Sequence, residues 1–151
     1  MAISGNYTII NESKYSGKSK VIPFKSMWEH HIMKWLDNND FVESWESWDN
    51  DNGDNHIKYI CKTDNRMHRY YPDFRVTYKN GKTSIIEIKP KHETKPPRIK
   101  KNMRTAKYNK ACYTFAKNVS KWEYAIKYCQ KRNWDFQIWT EDTLRNLGIH
   151  V

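Results

Sequence analysis

A chain of 151 residues carrying 27 Lys+Arg against 17 Asp+Glu, a formal net charge of +10, points to a polyanionic partner. With 38% hydrophobic and 15% aromatic residues it has the material for one core, which excludes a disordered chain. No apolar run approaches the roughly 20 residues that span a bilayer, and "MAISGNYTII" lacks the basic start and apolar core of a secretory signal, so no membrane association is expected. Cys61, Cys112 and Cys129 are odd in number and far apart, which fits reduced thiols in a cytosolic compartment rather than a disulfide frame.

There is no internal repeat. Residues 1–22 are polar and read as an N-terminal extended arm, and 23–151 as a single α/β domain. "SMWEHHIMKWLDNN" predicts a helix: Ser26 is a good N-cap, and Trp28, Ile32, Trp35 and Leu36 recur on one face. "FVESWESW" predicts a strand, "DNDNGDN" an acidic loop and "HIKYICK" a second, short strand. His56, Cys61 and His68 lack the spacing of zinc ligands. "RYYPDFRVTYKNGKTSIIEIKPK", Arg69 to Lys91, predicts a hairpin turning at "YKNGK". Beyond it, Ala106–Lys117 predicts one helix. Ser120–Arg132 predicts another, with a Ser120/Glu123 capping box and a stripe of Trp122, Ala125, Ile126 and Cys129. "DFQIWT" predicts a last strand, and "EDTLRNLG" a terminal helix closed by Gly148.

The hairpin register decides which side chains meet. A two-residue Asn80-Gly81 loop would pair Phe74 with Glu87 and mix charge with large apolar groups on both faces. A three-residue loop, with Gly81 in the left-handed conformation, instead sets Arg75 opposite Ile85, Asp73 opposite Glu87 and Tyr71 opposite Lys89. Pro72, Phe74, Val76, Ile86 and Ile88 then gather on the other face, and a one-residue slip would exchange the two sets. The coherent apolar face selects the second register. It leaves Asp73 and Glu87 opposed, a repulsive pair unless a divalent cation lies between them. Hard carboxylate oxygens suit Mg²⁺, and Lys89 on the same face could serve the attacking water or the charge developing on phosphate. The alternative is a solvated face on which Lys89 partly neutralises two acids.

Glu29 lies at the edge of its helical stripe. It could point into a cleft beside the sheet, or close a capping box with Ser26. Residues 89–110 hold nine Lys or Arg and one acid, Glu93. That one-sided run, with Lys91, Lys95, Arg98, Lys100 and Lys101 beyond Pro90, reads as a DNA phosphate-backbone contact. Neither a Walker loop nor a dinucleotide fingerprint is present, so no nucleotide cofactor is expected. The Gly-x-Ser-x-Gly motif is also absent, as is any Cys–His nucleophile arrangement.

Pro72-Asp73, thirteen residues, then Glu87-Ile88-Lys89 resembles the PD-(D/E)XK nuclease signature. More of the chain is similar to something narrower. "KYSGKSKVIPFKSMWEHHIMKWLD", "RMHRYYPDF", "IIEIKPKHETKPP", "KWEYAIKYCQKR" and "WDFQIWTED" resemble the head-completion nuclease family of tailed, T-even-type bacteriophages. The blocks run in order from Lys14 to Asp142. The resemblance implies a restriction-endonuclease-like α/β core with a small mixed sheet flanked by helices. It implies a metal-dependent DNA endonuclease that trims packaged double-stranded DNA during head completion and head–tail joining. Asp73 and Glu87 would bind Mg²⁺, with Mn²⁺ as substitute. Lys89 would serve the nucleophilic water, and Glu29 would be the helix acid. Portal or neck proteins would be partners, and the protein would work in the host cytoplasm during assembly and reside at the virion's head–tail junction. The segment "SWESWDNDNGDNHIKYI" is longer and more acidic than its family counterpart, which leaves the role of Glu46 open. Competing readings are a TnsA-like transposon or restriction endonuclease, and a non-catalytic DNA-binding head–tail connector.

Overall fold

The computed structural model describes residues 4–48 and 55–151. The loop expected at "DNDNGDN" therefore lies, but for Asn55, outside the described residues. The centre is a four-stranded mixed sheet in the order β3 (Val42–Ser47), β6 (Phe74–Tyr78), β7 (Thr83–Ile88), β8 (Asp135–Trp139). β3, β6 and β7 are antiparallel neighbours, and β8 joins β7 in parallel. A parallel partner needs a long crossover. It is supplied by a short 3₁₀ turn (Lys91–Thr94), an irregular basic strap, and the helix α2 (Thr105–Lys131).

Alternation along β7 gives the sheet two buried faces. Ile86, with Phe74 and Val76, packs towards α1 (Met27–Asn38), whose Ile32, Met33 and Leu36 are inaccessible to solvent. Ile85 faces the other way, into a core with Trp122, Ala125 and Cys129 of α2 and with Ile57, Tyr59 and Tyr70. Those last three come from a separate hairpin, β4 (Ile57–Cys61) with β5 (Arg66–Tyr70). Arg69 and Tyr70 therefore end β5 rather than beginning β6, and Pro72 marks the break between the two strands.

The expected hairpin register is present: Arg75 pairs with Ile85 and Phe74 with Ile86, and Gly81 has φ +86°. The expected Tyr71–Lys89 pair does not form. The β6 ladder starts at Phe74, Tyr71 lies against the His56 ring, and the Lys89 amide donates to Trp139 O of β8.

Two other expectations give way to tertiary structure. Residues within 1–22 are not an extended arm: β1 (Gly5–Thr8) pairs with β2 (Val21–Phe24), and Tyr7, Ile9, Tyr15 and Ile22 are buried. Asp37 of α1 anchors this hairpin, accepting from Tyr7 Oη (2.6 Å), Ile10 N (2.8 Å) and Asn11 N (3.0 Å). The two helices expected over 106–132 are one helix of 27 residues, about 40 Å long. Ser120 is not a cap. Its hydroxyl donates to Ala116 O and accepts from Lys62 N, while Glu123 pairs with Lys62 Nζ at 3.1 Å. A Ser-x-x-Glu pattern that could start a helix is used here to dock the β4–β5 turn. Ile126, expected on the buried stripe, is 46% exposed. α3 (Glu141–Asn146) starts at a Thr140/Thr143 capping box and ends before Gly148, whose φ is +76°.

Candidate active site

Three elements end at one cleft of about 590 Å³. The first turn of α1 brings Ser26 and Glu29, the start of β6 brings Asp73, and the end of β7 brings Glu87 and Lys89. The juxtaposition follows from the register. The ladder stops at the Phe74–Ile86 pair, one residue short of the expected Asp73–Glu87 pair, and the two acids instead meet as neighbours lining the cleft. Pro72 has already ended the ladder there. The Ile88 amide, which would otherwise lack a strand partner on that side, donates to Asp73 Oδ2 at 2.8 Å.

Glu87 is 9% exposed. A carboxylate so buried needs donors, and Tyr70 supplies one, its phenol donating to Glu87 Oε2 at 2.5 Å. Burial, and then the neighbouring Glu87 charge, hold the Tyr70 phenol well above its ordinary pKa, so it remains a donor across the physiological range. Lys121 of α2 stands over the Tyr70 ring, 5.5 Å from its centroid. Burial pushes its ammonium pKa down, opposed by the attraction of Glu87 and helped by repulsion from Lys117 and Lys89. Lys121 thus lies in the field of Glu87 and is close enough to Lys89 to be repelled by it. Neither Tyr70 nor Lys121 is marked by sequence pattern. Tyr70 looks like one more aromatic in a strand, and Lys121 like one more surface lysine on a basic helix.

Glu29 reconciles the two roles set against each other in its sequence. Ser26 Oγ accepts from Glu29 N at 3.2 Å, and Glu29 Oε2 accepts from the amide of Lys25 at 2.9 Å, one residue outside a standard capping box. The same side chain lines the cleft. Glu46 serves structure: it accepts from Arg75 Nε (2.8 Å) and Trp48 Nε1 (2.9 Å) across β3 and β6.

The basic residues divide. Lys91 Nζ pairs with Asp142 at 2.9 Å and its amide donates to Glu141 Oε1, so it pins the strap to the first turn of α3. Lys95, Arg98 and Lys100 line a second groove of about 620 Å³ between strap and α2, joined by Lys107 and Lys110. Lys101 is exposed beside it. The groove opens at His92, two residues beyond the end of the acidic cleft at Pro90.

A small mixed sheet flanked by helices, with an Asp and a Glu-x-Lys meeting at the rim of a β-hairpin, is the architecture of a restriction-endonuclease-like nuclease. Residues 39–141 match the family model described as "TnsA-like endonuclease N terminal". Over 152 aligned positions, 99% of this chain and 98% of the relative, the sequence is 37% identical to the head completion nuclease of Enterobacteria phage T4. The chain belongs to the TnsA-like endonucleases of the PD-(D/E)XK superfamily and, within them, to the head completion nuclease family. It is accordingly a DNA endonuclease. Among the described residues no helix is long and apolar enough to cross a membrane.

Proposed function

We propose that the chain cleaves packaged double-stranded DNA with a divalent cation held by Asp73 and Glu87, during the completion of phage heads and their joining to tails. The observation that carries this reading is the meeting of Asp73, Glu87, Lys89 and Glu29 in one cleft, at the end of a basic strap. Two opposed carboxylates, one of them buried, form a hard oxygen donor set that fits Mg²⁺, with Mn²⁺ as substitute. Such an ion supplies Lewis acidity at the scissile phosphate and lowers the pKa of a bound water.

The chain's own residues do the rest. Tyr70 fixes the rotamer of Glu87, and the Ile88 amide fixes that of Asp73. Lys89 orients the attacking water and, with Lys121, stabilises negative charge developing on phosphate. Glu29 brings a third acid to the mouth of the cleft from the α1 side. Lys95, Arg98, Lys100 and Lys101 hold the phosphate backbone, with Lys107 and Lys110 extending the track along α2. Lys91 gives up its Asp142 partner if it joins them. An exposed pair of this kind stabilises only weakly, so the exchange costs little. The resemblance to a head completion nuclease supports work in the host cytoplasm during assembly and at the head–tail junction of the virion, against portal or neck proteins. Conversion of supercoiled plasmid to open circles with Mg²⁺, lost in Asp73→Asn, tests the reading. Wild-type nicking by that variant would reject it.

A further inference from the structure

At the far end of the β4–β5 hairpin a second donor cluster lies outside the cleft. Cys61 ends β4, Asp64 sits in the turn and His68 lies on β5. Their Sγ, carboxylate oxygen and ring nitrogen all lie within 4.8 Å of one another. We propose that Cys61, Asp64 and His68 bind a zinc-type divalent ion that clips the tip of this hairpin, a site separate from the acidic cleft.

Several observations bear on it. Cys61 is 1% exposed, yet its sulfur does not merely pack. It lies 2.9 Å from Thr63 Oγ1 and turns towards two polar side chains that are each about one-third exposed. A buried thiol normally behaves as a small hydrophobe, as Cys129 does on the buried face of α2, where burial pushes its pKa up to about 11. The two other donors are already orientated. Asp64 Oδ1 accepts from Arg66 N at 2.9 Å, which holds the carboxylate in place. The His68 ring stacks on Tyr59 at an interplanar angle of 28° and approaches Asp64 Oδ2 at 2.7 Å. An Asp64–His68 ion pair explains that contact but not the thiol beside it. Tetrahedral zinc, with bonds of about 2.3 Å to sulfur and 2.0–2.1 Å to nitrogen, requires donors roughly 3.3–3.6 Å apart. Rotamer shifts in the two exposed side chains would meet that, and a solvent molecule would complete four-coordination.

The donor types select the ion. Thiolate and imidazole favour zinc over magnesium, whereas the carboxylates of the cleft suit magnesium. The clip also has something to hold. Among the described residues β4 and β5 form no ladder with the four-stranded sheet and are held by packing on α2 and by the Lys62 contacts to Ser120 and Glu123, so a clip would add a further hold at the tip. β5 carries Tyr70 two residues beyond His68, so fixing the tip steadies the phenol that orients Glu87.

Cobalt(II), a spectroscopic stand-in for zinc, titrated into the reduced full-length chain tests this. The wild type should show thiolate-to-cobalt charge-transfer absorption and intense tetrahedral bands, displaced by one equivalent of zinc and untouched by excess Mg²⁺. Cys61→Ser should abolish the charge-transfer band and His68→Gln should weaken the cobalt binding that this band reports at least tenfold, while Asp73→Asn, which alters only the acidic cleft, leaves the thiolate band unchanged. His68 is partly exposed, so that variant keeps the test valid if Cys61→Ser folds poorly. Absence of a thiolate band in the wild type, or wild-type cobalt affinity in His68→Gln, would overturn the site.

Discussion

Two buried carboxylates in this molecule each accept a hydrogen bond from a tyrosine, yet they sit in opposite settings. Asp37 takes Tyr7 at 2.6 Å and Glu87 takes Tyr70 at 2.5 Å. Asp37 is wholly buried, and two backbone amides of the N-terminal segment complete its shell. All its charge is spent on donors that fold the chain. Glu87 lines a cleft together with Asp73, Lys89 and Glu29. Its environment places like charge nearby, which a bound cation would balance. A carboxylate surrounded by matched donors is a structural anchor. On the proposed function, one held beside other acids is available to a bound cation.

The comparison breaks first on activity. Glu87→Gln should cut the rate of plasmid nicking by about a thousandfold or more while thermal stability holds or rises, because like-charge repulsion is relieved. A large loss of stability without metal would place Glu87 in the same class as Asp37. Asp37→Ala should do the reverse. It leaves a buried phenol and two amides without their acceptor, a cost of about 3 kcal/mol. At roughly 2–4 °C per kcal/mol for a chain of this size, the melting point should fall by about 6–12 °C, with nicking by the folded fraction unchanged.

Smaller effects sharpen the contrast. Tyr70→Phe removes only the hydroxyl that orients Glu87, and nicking should fall roughly tenfold, the usual cost of losing an orienting partner behind a metal ligand. Tyr7→Phe, its counterpart at Asp37, should leave the rate alone and lower stability by about 1 kcal/mol. Lys95→Gln with Lys100→Gln should weaken binding to all DNA sequences alike. The slope of log K against log salt should flatten by about two units in filter binding, about one for each phosphate that is no longer neutralised. The corresponding change at Lys91 should be smaller, since its ammonium is shared with Asp142.

What could be read in the sequence follows from how local the cause is. The register of the β6–β7 hairpin is legible because alternation leaves one coherent apolar face, and Gly81 supplies the positive φ the turn requires. Asp73, Glu87 and Lys89 fall together as a consequence. The helix α1 is legible from its cap and stripe. Elements set by distant partners are not. Ser120 and Glu123 carry the pattern of a helix start, and only Lys62, far off in the chain, shows why they sit mid-helix. The polar N-terminal segment reads as an arm because its anchor, Asp37, lies on another element and looks like a helix-end acid. Tyr70 reads as the start of β6 although it ends β5, and that misplacement hides its bond to Glu87. Lys91 belongs by sequence with the other basic residues, and only the position of α3 separates it from them.

On the proposed function the cleft performs the chemistry while the strap performs the binding, and Lys89 sits where they join. Single-turnover cleavage and filter binding, measured together on Lys89→Ala with Mg²⁺, test it most directly. The variant should bind DNA within a few-fold of the wild type and cleave at least about a hundredfold more slowly, a barrier increase of about 2.7 kcal/mol or more. Cleavage at a near wild-type rate would contradict the assignment of this cleft as the cutting site.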